Sequence, residues 1–130
     1  MASELRVDTL KDSGGNNSVG MTYVAGGSAK AWISFNGTGT IAILDSFSVA
    51  SISDHGTGQY SVTMSNALSN ANYSLGTAVG DGTGQNNRSI STGQGSAPTT
   101  TNYRLTSITA SSGAIDDCAY LSSNVMGDIA

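Results

Sequence analysis

The chain has 130 residues, only 11% of them charged, with a net charge of -4 and a single cysteine. Its basic residues, Arg6, Lys11, Lys30, Arg88 and Arg104, are scattered, which excludes the basic stripe of a nucleic-acid binder. The lone Cys118 excludes an intrachain disulfide, and no apolar run is long enough to cross a bilayer as a helix.

In chain order, Leu5, Val7 and Thr9 alternate with Glu4, Arg6 and Asp8, which predicts a short N-terminal strand. Lys11 to Ser18 is turn chemistry, since Gly and Asn tolerate positive φ and Asp and Ser bond to nearby backbone. A second short strand is expected from Val19 to Val24, before Gly26-Gly27-Ser28 breaks the chain. Residues 1–28 thus read as a strand-turn-strand arm. An arm of this size buries too little to stand alone and should pack on its own domain or on another chain.

Residues 29–130 read as the main domain. Ala31, Ile33 and Phe35 alternate with Trp32 and Ser34, so Trp32 falls on the face opposite Ile33. A tryptophan on that face is either covered by the arm or exposed for contact, which leaves core or subunit burial or stacking on a sugar. Asn36 to Gly39 is a turn, and a strand from Thr40 to Leu44 is expected to end at Asp45. Another strand should run from Ser46 to Ser53, with a bulge near Ala50 where the phase slips. Tyr60, Val62 and Met64 alternate with Gln59, Ser61 and Thr63, and after a polar corner Tyr73, Leu75, Thr77 and Val79 form a second alternating run. The corner is too long for a two-residue hairpin, so these two strands need not pair.

Gly80 to Arg88 and Gly93 to Thr101 read as exposed loops. Asp81, Thr83, Gln85, Asn86, Asn87 and Arg88 in the first, with Pro98 in the second, are the candidate ligand or partner residues. Tyr103 to Ile108 is a further strand. The last, from Cys118 onward, reads as buried on both faces, as a central strand would be. No segment offers three clean helical turns. The fold class expected is all-β: an antiparallel β-sandwich or jelly-roll-like domain with a short N-terminal β arm.

Enzyme signals are poor. His55 is alone in a turn, and nothing singles out one serine as a nucleophile. Asp81-x-Thr83-x-Gln85 has calcium-loop spacing but lacks the closing carboxylate, because Thr92 stands there. The glycines at 80, 82 and 84 precede no helix, so they make no dinucleotide loop. No catalytic residue, metal or cofactor is assigned.

Asp54, Gly56, Thr57, Gly58 and Tyr60, followed by Asn70-Ala71-Asn72-Tyr73, resemble a strand-turn-strand segment in the C-terminal domains of tailed-phage fibre proteins. The opening Ser3-Glu-Leu-Arg-Val-Asp-Thr-Leu-Lys-Asp resembles the start of many such proteins, where that segment docks on the virion. The resemblance implies a β-rich virion protein, homotrimeric, attached through Leu5, Arg6, Val7 and Leu10. It implies a short tail fibre or appendage that binds a host-surface glycan or protein. The alternative is a capsid decoration, cement or head-fibre protein that stabilises the shell. The expected location is the virion, assembled in the host cytoplasm, with other virion proteins as partners.

Overall fold

The computed structural model describes residues 2–81, 87–92 and 95–130. The main domain is an all-β sandwich of two antiparallel four-stranded sheets. Its strands are β3 (Ala31–Asn36), β4 (Ala42–Phe47), β5 (Val49–Asp54), β6 (Gln59–Met64), β7 (Ser74–Gly80), β8 (Arg88–Thr92), β9 (Asn102–Thr109) and β10 (Tyr120–Met126). One sheet has the order β4-β3-β10-β7 and the other β5-β6-β9-β8. Hairpins β3–β4, β5–β6 and β8–β9 stay within a sheet, and the long-range pairs β3–β10, β7–β10 and β6–β9 close it. As expected from the long corner, β6 and β7 lie in different sheets.

The period-2 alternation decides which side chains meet between the sheets. Ala31, Ile33 and Phe35 of β3 and Leu121 and Val125 of β10 face Tyr60, Val62 and Met64 of β6 and Tyr103 and Leu105 of β9. Phe35 and Tyr60 pack edge to face with ring centroids 5.2 Å apart. The Tyr103 hydroxyl meets Ser123 Oγ at 2.7 Å, which satisfies a polar group that burial would otherwise strand.

Several expectations are corrected. The strand β4 does not stop at Asp45 but runs on to Phe47. The chain changes sheets at Ser48, whose φ of 55° is the only positive value at a non-glycine residue among those described. Phe47 and Val49 keep the spacing of one strand, so the sequence hides the corner. Ser48 is held there by Ser65 N donating to its carbonyl at 3.0 Å and by Asn66 Nδ2 donating to its hydroxyl at 3.1 Å. The slip between Val49 and Ser51 is where the bulge at Ala50 was expected. The strand β10 is central, yet only one face is buried: Leu121, Ser123 and Val125 point in, while Tyr120, Asn124 and Met126 are exposed.

The arm also differs. Its first strand, β1, is Thr9–Lys11, and residues 2–7 have no regular structure. The second strand, β2, covers only Ser18–Gly20 and pairs antiparallel with β1. In place of further strand, the chain then winds into a short helix, α1, Met21–Gly27. Met21 N donates to Asp8 O at 2.9 Å, which turns the chain out of the hairpin. Lys30 Nζ then donates to the carbonyls of Ala25 and Ser28 at the far end of α1, where a cation is favoured. Every residue from Ala2 to Val19 is exposed.

Candidate functional site

The segment that carries the fibre resemblance is built as a structural corner. Asp54 Oδ1 accepts from Gly56 N at 2.8 Å and so sets the turn. Gly58 has φ of 64°, and a Cβ there would lie 2.7 Å from Asp116 O and 2.8 Å from Ser107 O. Only glycine fits, because the backbone of residues 115–117 crosses at this point. Gly58 N donates to Asp117 Oδ1 at 2.6 Å. Tyr60 Oη donates to the Gly37 carbonyl and lies within hydrogen-bond distance of Asp117 Oδ1, both at 2.9 Å. Burial and the neighbouring Asp117 carboxylate push the Tyr60 hydroxyl well above the ordinary tyrosine range. In the second half of the motif, Asn70 Oδ1 accepts from Asn72 N at 2.8 Å, and Tyr73 Oη donates to Asn102 O at 3.2 Å. Gly58 and Tyr60 are buried and hold strands together, while Asp54, Gly56, Thr57, Asn70, Ala71 and Asn72 are exposed turn residues.

The predicted ligand residues do not form one site. Thr83, Gln85 and Asn86 lie outside the described residues. Arg88 turns inward and is 17% exposed. Its Nη1 donates to Asp116 Oδ2 at 2.6 Å and to Thr109 Oγ1 at 2.8 Å, and its Nε is 3.7 Å from Asp81 Oδ2. Hydrogen bonding to Asp116 raises the Arg88 pKa further, so the guanidinium acts as a permanent clamp. Asn87 is exposed, and its carbonyl accepts from Ala110 N at 2.8 Å. Pro98 precedes the turn that leads into Asn102, the first residue of β9, whereas Arg88 pairs with Thr109, the last. The two loops therefore enter opposite ends of one strand. Asp116 and Asp117 lie in an irregular segment before β10, one turned to Arg88 and the other to Tyr60. Cys118 is fully buried beside them, and burial pushes its thiol pKa up. His55 Nε2 is 2.7 Å from Ser61 Oγ, with no carboxylate bonded to its ring among the described residues.

A concave surface lies elsewhere among the described residues, on the outer face of the β4-β3-β10-β7 sheet. Register aligns Gly76, Asn124, Trp32 and Phe47 in one row across its four strands. The next row is Ala78, Ser122, Ser34 and Asp45, and beyond it Gly80 pairs with Tyr120. The outward positions of β7 are thus glycine, alanine and glycine, and they leave a trough. A depression of about 280 Å³ adjoins Tyr120, and another of about 440 Å³ lies between Trp32 and Asn124. Trp32 is 37% exposed and Tyr120 57%. Gly76 N donates to Asn124 Oδ1 at 3.1 Å, and a Cβ at Gly76 would sit 2.4 Å from that oxygen.

Chemically, the trough offers two aromatic side chains, hydroxyls and an amide. Such groups stack and hydrogen-bond; they do not transfer protons at neutral pH. The sequence contained part of this signal in the Gly76-x-Ala78-x-Gly80 spacing, but the opposing Trp32 and Tyr120 are brought to it only by the sheet order. Among the described residues, no three His, Cys, Asp or Glu side chains group closely enough to hold a metal ion. Comparison of the chain with protein-family models, with curated proteins and with solved structures returned no match.

Proposed function

We propose that the chain is a non-catalytic virion protein of the phage fibre or appendage class, a homotrimer docked through its arm and presenting the sandwich to the host surface. The observation that carries this reading is the distribution of uncovered apolar side chains. Of the twelve large hydrophobic residues exposed among those described, five lie on the arm: Leu5, Val7, Leu10, Val19 and Tyr23. Leu5 is 79% exposed and Tyr23 77%. A hairpin and a two-turn helix with no buried residue do not hold their shape by themselves, so a surface outside the sandwich must cover them. The sandwich, by contrast, has a continuous core of its own. One part needs a partner and the other does not, which is the division of an anchored module.

The outer sheet face supports a contact role for the anchored part. Trp32 and Tyr120 border a trough of small residues where planar sugar faces or a peptide can lie. The test separates anchoring from presentation. Particles assembled with the Leu10→Asp, Val19→Asp variant should lack the protein; retention at the normal level would overturn docking through the arm. Particles with Trp32→Ala and Tyr120→Ala should keep the protein and adsorb more weakly to cells. Normal adsorption by these particles would overturn the host-surface role and favour a shell-decorating one.

A further inference from the structure

The two sheets end in four edge strands, β4, β5, β7 and β8. An open edge is a row of unpaired N–H and C=O groups, and proteins usually blunt it with lysine, proline or charge. The edge β4 is different. It carries Ile43, Leu44 and Phe47, all among the exposed large hydrophobics, while β5, β7 and β8 carry none. It has neither lysine nor proline, and its one charge is Asp45. Phe47 also sits beside exposed Trp32 in the register. Four of the twelve exposed large apolar side chains therefore gather at this edge, and five more are on the arm.

We propose that residues 3–8 of one copy add as a strand to the β4 edge of a second copy. The segment Ser3-Glu4-Leu5-Arg6-Val7-Asp8 has strand alternation, yet it has no strand partner among the described residues of its own chain. Its six residues match the six of β4, each spanning about 20 Å when extended. Leu5 and Val7 share one face and supply cover for Ile43, which pairs with inward-facing Phe35. Arg6 shares the other face and supplies the opposite charge to Asp45; in the single chain its only ion pair among the described residues is with Glu4, at 3.0 Å on the surface. Main-chain pairing gives such an added strand its affinity and the alternate side chains its register. The proposal rests on the reading of the arm as an assembly element and names its partner surface. It leaves the hairpin, with Leu10 and Val19, and the helix α1, with Tyr23, for a different protein.

The test is interchain cross-linking between co-expressed full-length chains, one tagged and carrying Val7→Cys, the other carrying Ile43→Cys. The native Cys118 is buried and does not compete. The mixed disulfide should exceed either homotypic product by about tenfold or more, because docking raises the effective concentration of the pair. Arg6→Asp should reduce it, and Asp45→Arg in the second chain should restore it. Equal yields of mixed and homotypic products would overturn the proposal. So would an intrachain bond when both cysteines are placed in one chain, because the arm would then cover its own edge. Failure here together with loss of the Leu10→Asp, Val19→Asp variant from particles would remove this contact and leave the docking reading in place.

Discussion

Tyr60 ties three separate stretches of chain together, and its removal should be felt at all three. Tyr60→Phe keeps the ring against Phe35 but leaves the Gly37 carbonyl without its donor, which should cost about 1–3 kcal/mol in chemical unfolding. Gly58→Ala should cost more. Its Cβ would meet two carbonyl oxygens under 3.0 Å away, and its positive φ adds strain. Gly39 has a similar φ of 62° but open space around it, so Gly39→Ala should cost only about 1–2 kcal/mol. If the two alanine variants lose the same stability, crowding at Gly58 is not what selects glycine there.

The buried tyrosines also set a pH dependence. Burial pushes the Tyr103 hydroxyl up to about 12 from its ordinary 10.0, against the opposing pull of its bond to Ser123. The folded chain therefore holds this proton more tightly than the unfolded chain. That contribution is complete below pH 10 and is lost as pH rises from there through about 12. Two units correspond to about 2–3 kcal/mol, and Tyr60 shifts in the same direction. The melting temperature should fall along this alkaline limb, and the fall should be shallower in Tyr103→Phe. An unchanged slope in that variant would contradict the assignment.

At the scale of elements, Arg88 joins the start of β8 to the end of β9 and to the segment before β10. Arg88→Met should speed hydrogen exchange at the amides of residues 87–92 and leave those of β6 unchanged. Uniform acceleration across both would mean that Arg88 supports the whole sandwich rather than one edge. The elements also show what was legible in the sequence. Alternation placed β3, β6, β7 and β9 and put Trp32 on the outer face, because burial on one side of a sheet imposes period 2 directly. The corner at Ser48 was not legible, since Phe47 and Val49 keep strand spacing and the turn is held by Ser65 and Asn66, distant in the chain. The helix α1 was hidden too: Thr22, Tyr23 and Val24 are weak helix formers, and Lys30 caps it from beyond the break. For the candidate site, alternation put Trp32 on the outer face, and the small residues Gly76, Ala78 and Gly80 fall at the positions between Leu75, Thr77 and Val79 and after them. Their meeting depends on β10 lying between β3 and β7, a long-range pairing that no local pattern encodes. Arg88 looked like a surface ligand because its partners Asp81 and Asp116 become neighbours only when β8 pairs with β9.

On the scale of the whole molecule, the chain divides into a sandwich with a satisfied core and an arm with none. Charge plays a small part in this division; exposed apolar surface, on the arm and along β4, plays the larger. The contact between copies should bury Leu5 and Val7 together with the β4 edge, so these two surfaces should lose exposure in one step. The most direct measurement is the mass of the purified full-length protein by light scattering across a range of concentrations. A stable homotrimer that falls to lower mass in the Leu5→Asp, Val7→Asp variant, with its β-sheet circular dichroism retained, is the predicted result. A monomer at every concentration, with the arm still exposed, would contradict it.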